Sequence, residues 1–369
     1  MIKLASPDIN EQDIARAVKV IKSERLIQGS NVKDFETQLT LFTGIQHAAV
    51  VSSGTAALHL SLLALGVTNK DAVVVPAFTF PATANVVEMV GAELVLAEVE
   101  KHSYVMTPGT FEEALSKNKD KNIKAVIVVH EFGFPAQIRE ITEIAKRNKL
   151  FVIEDSACAL GTIADGYHVG YFSDLACFSF HPRKAITTGE GGAVLSSSSL
   201  LREIIISLRN HGQVKYETGL DFIAPGLNYR MTDFQAALAL GQLKRFNQEL
   251  DKRKKLAYQY IQLLQNDNNL QIPCYVEGHS WQSFMIVLGE DLRRPLIVER
   301  LAAKGIETNL GAYALNCLSY YMNKYRYDQS IFKIAAMLYE RGLVLPIYGK
   351  LQASDVEYIS ESLLSALEG

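Results

Sequence analysis

A chain of 369 residues, 48% of them hydrophobic, with a formal net charge of −3, is long enough for about two domains and has ample apolar content for a large core. That charge balance leaves no electrostatic footprint for nucleic acid or an anionic membrane, no apolar run reaches the roughly 18 residues of a membrane span, and the start lacks the basic and apolar regions of a signal peptide. The four cysteines, Cys158, Cys177, Cys274 and Cys317, form no CxxC pair, and the eight histidines are dispersed, which argues against a disulfide framework or a metal centre and leads us to expect a cytoplasmic protein with reduced thiols.

In chain order, HAAVVSS (47–53) is strand-like and TAALHLSLLALG (55–66) reads as a helix closed by Gly66. DAVVVP (71–76) and ELVLAEV (93–99) are further strands. AVIVVH (125–130) leads through the helical QIREITEIAKRNK (137–149) to the strand LFVIED (150–155), and ACFSFH (176–181) and GAVLSS (192–197) continue the series. Runs this apolar suit strands buried on both faces, so the expectation is a three-layer α/β domain over about residues 10–235. Thr232 and Gln235 match a capping box. From there to about Leu264 the pattern predicts one helix, which at 1.5 Å per residue would run about 50 Å. The strand-like WQSFMIVL (281–288), the helical PLIVERLAAKG (295–305) and a C-terminal helix from about Ala353 complete a smaller α+β part. The predicted division is a large domain over 1–240 and a small one over 241–369, with roughly the first ten residues packing on the small domain.

Three stretches carry chemistry. SSGTAAL (52–58) lies where a strand gives way to a helix; free N–H groups and the helix dipole make such a place a phosphate site, although a Ser/Thr cap needs no ligand. GxxxxGK[ST] and GxGxxG patterns are missing, which weighs against ATP and dinucleotides. IEDSACALG (153–161) ends a buried strand with Glu154 and Asp155, which point to opposite faces. One reading makes them a helix cap or salt-bridge partner; the other places Asp155 in a site at the strand's carboxyl end. SFHPRKAITTGEGG (179–192) sets Lys184 after another strand, where a solvated surface lysine is the plain alternative. A phosphate cradle, a carboxylate at a strand end and a lysine after a neighbouring strand together meet the needs of a pyridoxal phosphate (PLP) enzyme. The lysine joins the cofactor as a Schiff base, and the carboxylate keeps the proton on the pyridine nitrogen.

Nine segments in order carry a further resemblance: IQGSNVKDFE, SSGTAALHL, PAFTFPATAN, HEFGFPA, VIEDSACALG, SDLACFSFHPRKAITTGEGGAV, LRNHG, GLNYRMTDFQAAL and LVLPIYGKL. Over nearly its whole length the chain resembles the sugar aminotransferases of the DegT/DnrJ/EryC1/StrS family, a branch of the aspartate-aminotransferase-like, fold-type I PLP enzymes. The resemblance implies that fold, a three-layer αβα PLP-dependent transferase with a smaller C-terminal α+β domain. It also implies Lys184 as the Schiff-base lysine, Asp155 as the pyridinium partner and Phe80 as the aromatic stacked on the ring. Gly54, Thr55 and Ser179 match the phosphate binders, and Asn228 matches an asparagine that reaches the phosphate from the other subunit, so the implied unit is a homodimer with shared sites. Cys158 stands three residues after Asp155, where many members carry Gln or His near the cofactor's phenolic oxygen, and a thiol is a weaker partner. Asn316 replaces a His in a segment near the substrate. Arg183, Arg230, Tyr313 and Asn316 are the candidate substrate contacts.

The resemblance implies amine transfer, from L-glutamate, onto a nucleotide-linked keto-deoxysugar at its 3- or 4-keto position. Lys184 would serve as the base. An ordinary lysine pKa of roughly 10.4 is too high for that, so neighbouring positive charge and partial burial are expected to lower it. Rival readings are an aminotransferase for a free cyclic ketone such as an inosose, and a non-catalytic regulatory protein on the same fold.

Overall fold

The computed structural model describes residues 1–328 and 330–368. Two helices come first, α1 (Glu11–Lys22) and α2 (Ser30–Thr43), followed by β1 (His47–Val51) and α3 (Gly54–Ala64). Ser53 caps α3 by accepting from Ala56 N at 3.0 Å. The helix closes as expected at Gly66, whose φ of +67° is the left-handed turn that glycine tolerates, with Val67 N donating to Leu62 O at 3.0 Å. Next come β2 (Ala72–Pro76), β3 (Phe78–Thr79), α4 (Ala82–Met89), β4 (Glu93–Ala97) and α5 (Pro108–Lys117). β5 (Ile123–Val129), α6 (Ile138–Arg147) and β6 (Phe151–Asp155) follow. After the short pair β7 (Ile163–Ala164) and β8 (Tyr167–His168) come β9 (Leu175–Ser179), β10 (Gly192–Ser196) and α7 (Ser199–Leu208).

The large sheet has the order β1-β10-β9-β6-β5-β2-β4. β9, β6, β5, β2 and β4 pair in parallel, and β10 alone runs against its neighbours β1 and β9. Its strands are buried on both faces, as the apolar runs predicted: α3, α4 and α7 pack on one face, and α2, α5, α6 and part of α8 (Asp233–Lys244) on the other. All strands but β10 therefore present their carboxyl ends along one edge.

A hairpin, β11 (Gln213–Tyr216) and β12 (Gly219–Phe222), precedes α8. The single long helix expected beyond Thr232 is instead two, α8 and α9 (Phe246–Leu264), broken at Arg245 with φ −104° and ψ 6°. The Arg245 guanidinium is drawn aside to Asp8 at 3.0 Å and Asp13 at 2.6 Å. These partners, more than 230 residues back in the chain, fix the kink. A three-stranded antiparallel sheet of β13 (Leu270–Gln271), β14 (Phe284–Leu288) and β16 (Gly342–Leu345) has a separate core with α9, α10 (Arg294–Ala303) and α13 (Ala353–Glu368). Ile2 bridges to Ile306 beside α10. β15 (Tyr313–Ala314) crosses back to pair with β3. The short helices α11 (Ser319–Tyr325) and α12 (Lys333–Arg341) fill the space between.

Candidate active site

The candidate residues gather at the carboxyl edge of the large sheet, as the rule for open α/β sheets requires. Register brings the first group together. Val51 pairs with Gly192, and Gly192 with Ser179. A Cβ on Gly192 would lie 2.5 Å from the Ser53 carbonyl carbon, and one on Gly54 would lie 2.9 Å from Ser179 Cβ. Glycine at both positions is what lets the first turn of α3 close onto the Ser179 hydroxyl. The amides of that turn have no partner inside the helix, and Thr55 is exposed beside them.

Glu154 and Asp155 do point to opposite faces. Glu154 is wholly buried and accepts hydrogen bonds from His130 Nε2 at 2.7 Å and Gly170 N at 2.7 Å. His130 Nδ1 accepts from Ala136 N, so the proton sits on Nε2, and this pair is architecture. Asp155 faces the edge, 6% exposed. It accepts from Thr83 Oγ1 at 2.7 Å and from Ala157 N at 3.1 Å. Burial pushes its pKa up, against the pull of those hydrogen bonds and of Lys184.

Lys184 lies in the β9–β10 loop, part-buried, with Nζ 2.9 Å from Cys158 Sγ. The loop is clamped from outside. Gln282, just before β14, accepts from Ala185 N at 3.0 Å and donates to Arg183 O at 2.6 Å, bracketing Lys184. Gln242 of α8 accepts from Thr187 N and donates to Thr187 O. The Thr-Thr-Gly-Glu-Gly-Gly tract ties back through Thr187 Oγ1 to Phe180 O and Thr188 Oγ1 to Glu190 O. Sequence reasoning singled out neither glutamine, because their partners lie 55 and 97 or more residues away.

One expectation is overturned. Positive neighbours were expected to lower the Lys184 pKa; burial does lower it, but Cys158, Glu131 and Asp155 outweigh burial and the net shift is upward. The Cys158 thiol is itself pushed up by burial, against the pull of the Lys184 charge. Glu131 was not anticipated. It sits on a tight turn (Glu131–Gly133) after β5, 5% exposed, and burial pushes its pKa up to about 7.

Around this floor stand more open side chains. Phe80, at the end of β3, is 63% exposed and meets Tyr313 of β15 edge-on, ring centroids 6.0 Å apart. Arg183 is exposed. Arg230 bridges to Val51 and donates to Asn210 at 2.6 Å, and Asn228 beside it is exposed. Asn316 is fully buried in a tight turn after β15. The structure thus brings Gly54, Thr55 and Ser179 into one group, Asp155, Cys158 and Lys184 into a second, and Phe80 and Tyr313 into a third.

A Streptococcus pneumoniae protein described as a sugar aminotransferase, solved with pyridoxamine phosphate, matches with a TM-score of 0.93 at 27% identity, covering 100% of this chain and 99% of that one; its PLP form gives 0.92. Helicobacter pylori PseC, an aminotransferase of pseudoaminic acid biosynthesis, gives 0.92 at 27% identity over 100% of this chain and 99% of its own. Fold and family make the protein a PLP-dependent aminotransferase. It belongs to the DegT/DnrJ/EryC1/StrS aminotransferase family, whose profile matches residues 7–364. GDP-perosamine synthase of Escherichia coli O157:H7 is 34% identical over 341 residues, 91% of this chain and 90% of that protein. Among the described residues no helix is long and apolar enough to cross a membrane.

Proposed function

We propose that the protein moves an amino group from L-glutamate to a nucleotide-linked keto-deoxysugar, at its 3- or 4-keto position, working as a homodimer with shared sites. The observation that carries the reading is the buried floor of Lys184 and the Thr83-held Asp155 beneath an open rim. GDP-perosamine synthase and PseC, named for amino-sugar chemistry, support the acceptor class.

The residues present fit PLP. A nearly buried carboxylate at a strand end, with two hydrogen bonds, is suited to a cationic ring nitrogen, and the glycine-lined cradle of Gly54 and Ser179 is suited to a phosphate. PLP, when bound, supplies an aldehyde carbon that joins amines and a ring that takes up electrons as a C–H bond breaks. Lys184 Nζ would be the amine that carries the cofactor, and as a free amine it would take the proton from the donor's amine-bearing carbon, a role worth about 10²–10⁴-fold. Asp155, fixed by Thr83, would hold the ring-nitrogen proton. Phe80, exposed at the rim, would pack against the ring. The α3 amides, Thr55 and Ser179 would hold the phosphate, and Asn228 of the partner subunit would complete the set. Arg183, Arg230 and Tyr313 meet the acceptor.

The homodimer is supported by apolar residues on and just after β12: Leu220, Phe222 and Ile223 are 59–63% exposed, a run of apolar side chains that a lone soluble chain seldom leaves open. The test is rapid mixing of the pyridoxamine-loaded protein with a panel of keto-sugar nucleotides and free cyclic ketones. Return of the PLP absorption with keto-sugar nucleotides is expected. Response to free ketones alone would move the protein to the inosose reading. No reaction with any amino donor, in protein carrying cofactor on Lys184, would leave only a regulatory role.

A further inference from the structure

Gln282 joins the smaller, three-stranded sheet to the lysine loop through one side chain. It lies half-buried just before β14, and its backbone is firmly held. Arg253 of α9, 3% exposed and paired with Glu249 at 3.1 Å, donates to Gln282 O at 3.3 Å and to Ile347 O at 3.1 Å. Trp281, fully buried, stacks on His279 with ring centroids 3.8 Å apart. Its φ of +52° is a left-handed conformation uncommon for a bulky residue, one that persists where the surroundings hold it. On the other side, Ser280 N donates to Gly133 O at 3.2 Å, and Ser280 Oγ meets Thr162 Oγ1 at 2.8 Å.

From this anchor the side chain reaches the loop. Oε1 accepts from Ala185 N at 3.0 Å, and Nε2 donates to Arg183 O at 2.6 Å. These peptide groups flank Lys184, so fixing both sets the direction of its Cα–Cβ bond. Within the loop, Lys184 N donates to His181 O at 2.8 Å, which closes a turn but leaves Ala185 N to Gln282. The ties at Thr187 and Thr188 and the bond to Gln242 lie further along. A side-chain amide offers an acceptor and a donor in one plane, which matches an N–H and a C=O two residues apart.

We propose that Gln282 is a positioning residue for Lys184: it ties the peptide groups on both sides of the lysine to the smaller sheet, so that the amine stays aimed at the floor whether or not it carries the cofactor. The inference rests on the reading of Lys184 as the cofactor lysine. In that reading the amine is set free to take a proton and is afterwards joined to the cofactor again. A long, flexible side chain on a loose loop would wander between those events. On a clamped loop the amine stays beside Cys158, where Nζ lies 2.9 Å from Sγ, and so keeps a high effective concentration at the floor.

The test follows, by visible absorption, how fast apoprotein takes up PLP on Lys184 and how fast that PLP is lost on dilution. Gln282→Met keeps the bulk and removes both hydrogen bonds. Uptake should slow and loss should quicken, weakening retention by about tenfold in all. Gln282→Glu separates positioning from simple stability. As a carboxylic acid the new side chain accepts and donates as the amide does; as a carboxylate it still accepts from Ala185 N but opposes the Arg183 carbonyl. Its retention relative to wild type should therefore be low at about pH 8 and recover towards about pH 5. The charged and titratable groups around the position are Arg183, Lys184 and His181 of the loop, Arg253 and Glu249 of α9, His279, and Glu131 on the neighbouring turn. Wild type carries them all, so the ratio isolates residue 282. A glutamine that merely stabilised the fold would lower the melting temperature and leave this ratio independent of pH. If Gln282→Met fails to fold, Gln282→Glu carries the test. Unchanged uptake and retention in a folded variant, or a ratio that does not move with pH, overturns the inference alone. Protein that takes up no PLP on Lys184 overturns the functional reading and this inference with it.

Discussion

On the floor of the site, Asp155 is fixed by Thr83 and Ala157, Lys184 touches Cys158, and the lysine loop is clamped by Gln282 and Gln242, all within one chain. On the rim, Phe80 is 63% exposed, and Thr55, Arg183 and Asn228 are exposed as well. The floor is preorganised, so charge that develops in the reaction meets groups already oriented, and little reorganisation is needed at that moment. The rim is left for what binds there: cofactor, acceptor and, under the proposed function, a second subunit.

The contrast can be broken at the floor with the largest effect. Asp155→Ala removes the group proposed to hold the ring-nitrogen proton. It should leave the cofactor able to join Lys184 but slow the reaction with the amino donor by at least the 10²–10³-fold typical of losing one preorganised electrostatic group, roughly 3–4 kcal/mol. Single-turnover absorbance measures this, and near-normal rates would remove Asp155 from the role.

At the rim the contrast is sharpened by mixing. Lys184→Ala and Asn228→Ala proteins should each be inactive. In a dimer with shared sites, one mixed site carries both defects and the other neither. After subunit exchange, activity should return to at most about a quarter of wild type. No recovery, with exchange verified by native mass spectrometry, would place Asn228 in its own chain's site or outside any site.

The remaining effect concerns acid, and it acts on stability and leaves the catalytic rate aside. His168 accepts from Gly161 N and donates Nδ1–H to Val169 O, and His279 Nδ1 accepts from Trp281 N. Burial pushes their pKa values down to about 4 and about 3. Each buttresses the floor: Gly161 follows the Cys158 loop, and Ser280, beside His279, donates to Gly133 O. A depressed folded-state pKa contributes stability above the unfolded value of roughly 6.5, and that stability is lost as pH falls, by about 1.4 kcal/mol per unit for each histidine until its folded pKa is reached. Chemical denaturation between pH 7 and pH 5 should show this decline, and His168→Asn should flatten it.

Much of this was legible in the sequence, and the physical reasons divide cleanly. The strands were readable because runs such as AVIVVH are buried on both faces, which leaves no polar residue to blur the pattern. Gly66 and the Thr232 capping box were readable because a helix end is a local event. The grouping of Lys184 and Asp155 was readable through spacing and family likeness. What escaped depends on contacts distant in sequence. The break at Arg245 comes from Asp8 and Asp13. The clamp on Lys184 comes from Gln282, and its raised pKa from Cys158, Glu131 and Asp155, which lie 26 to 53 residues away in sequence. Glu131 looks like an ordinary loop carboxylate in HEFGFPA until the turn buries it. α1 escaped for another reason: its apolar Ile14, Val18 and Ile21 are 38–51% exposed, so its pattern marks no core face of this chain.

The central claim is that the floor is organised around the Lys184 amine. Borohydride reduction of the PLP-loaded protein, followed by protease digestion and mass spectrometry, tests it most directly. The account predicts one pyridoxyl group per chain, on the peptide containing Lys184, and none in Lys184→Ala. A pyridoxyl group on any other lysine of the wild-type protein would contradict it.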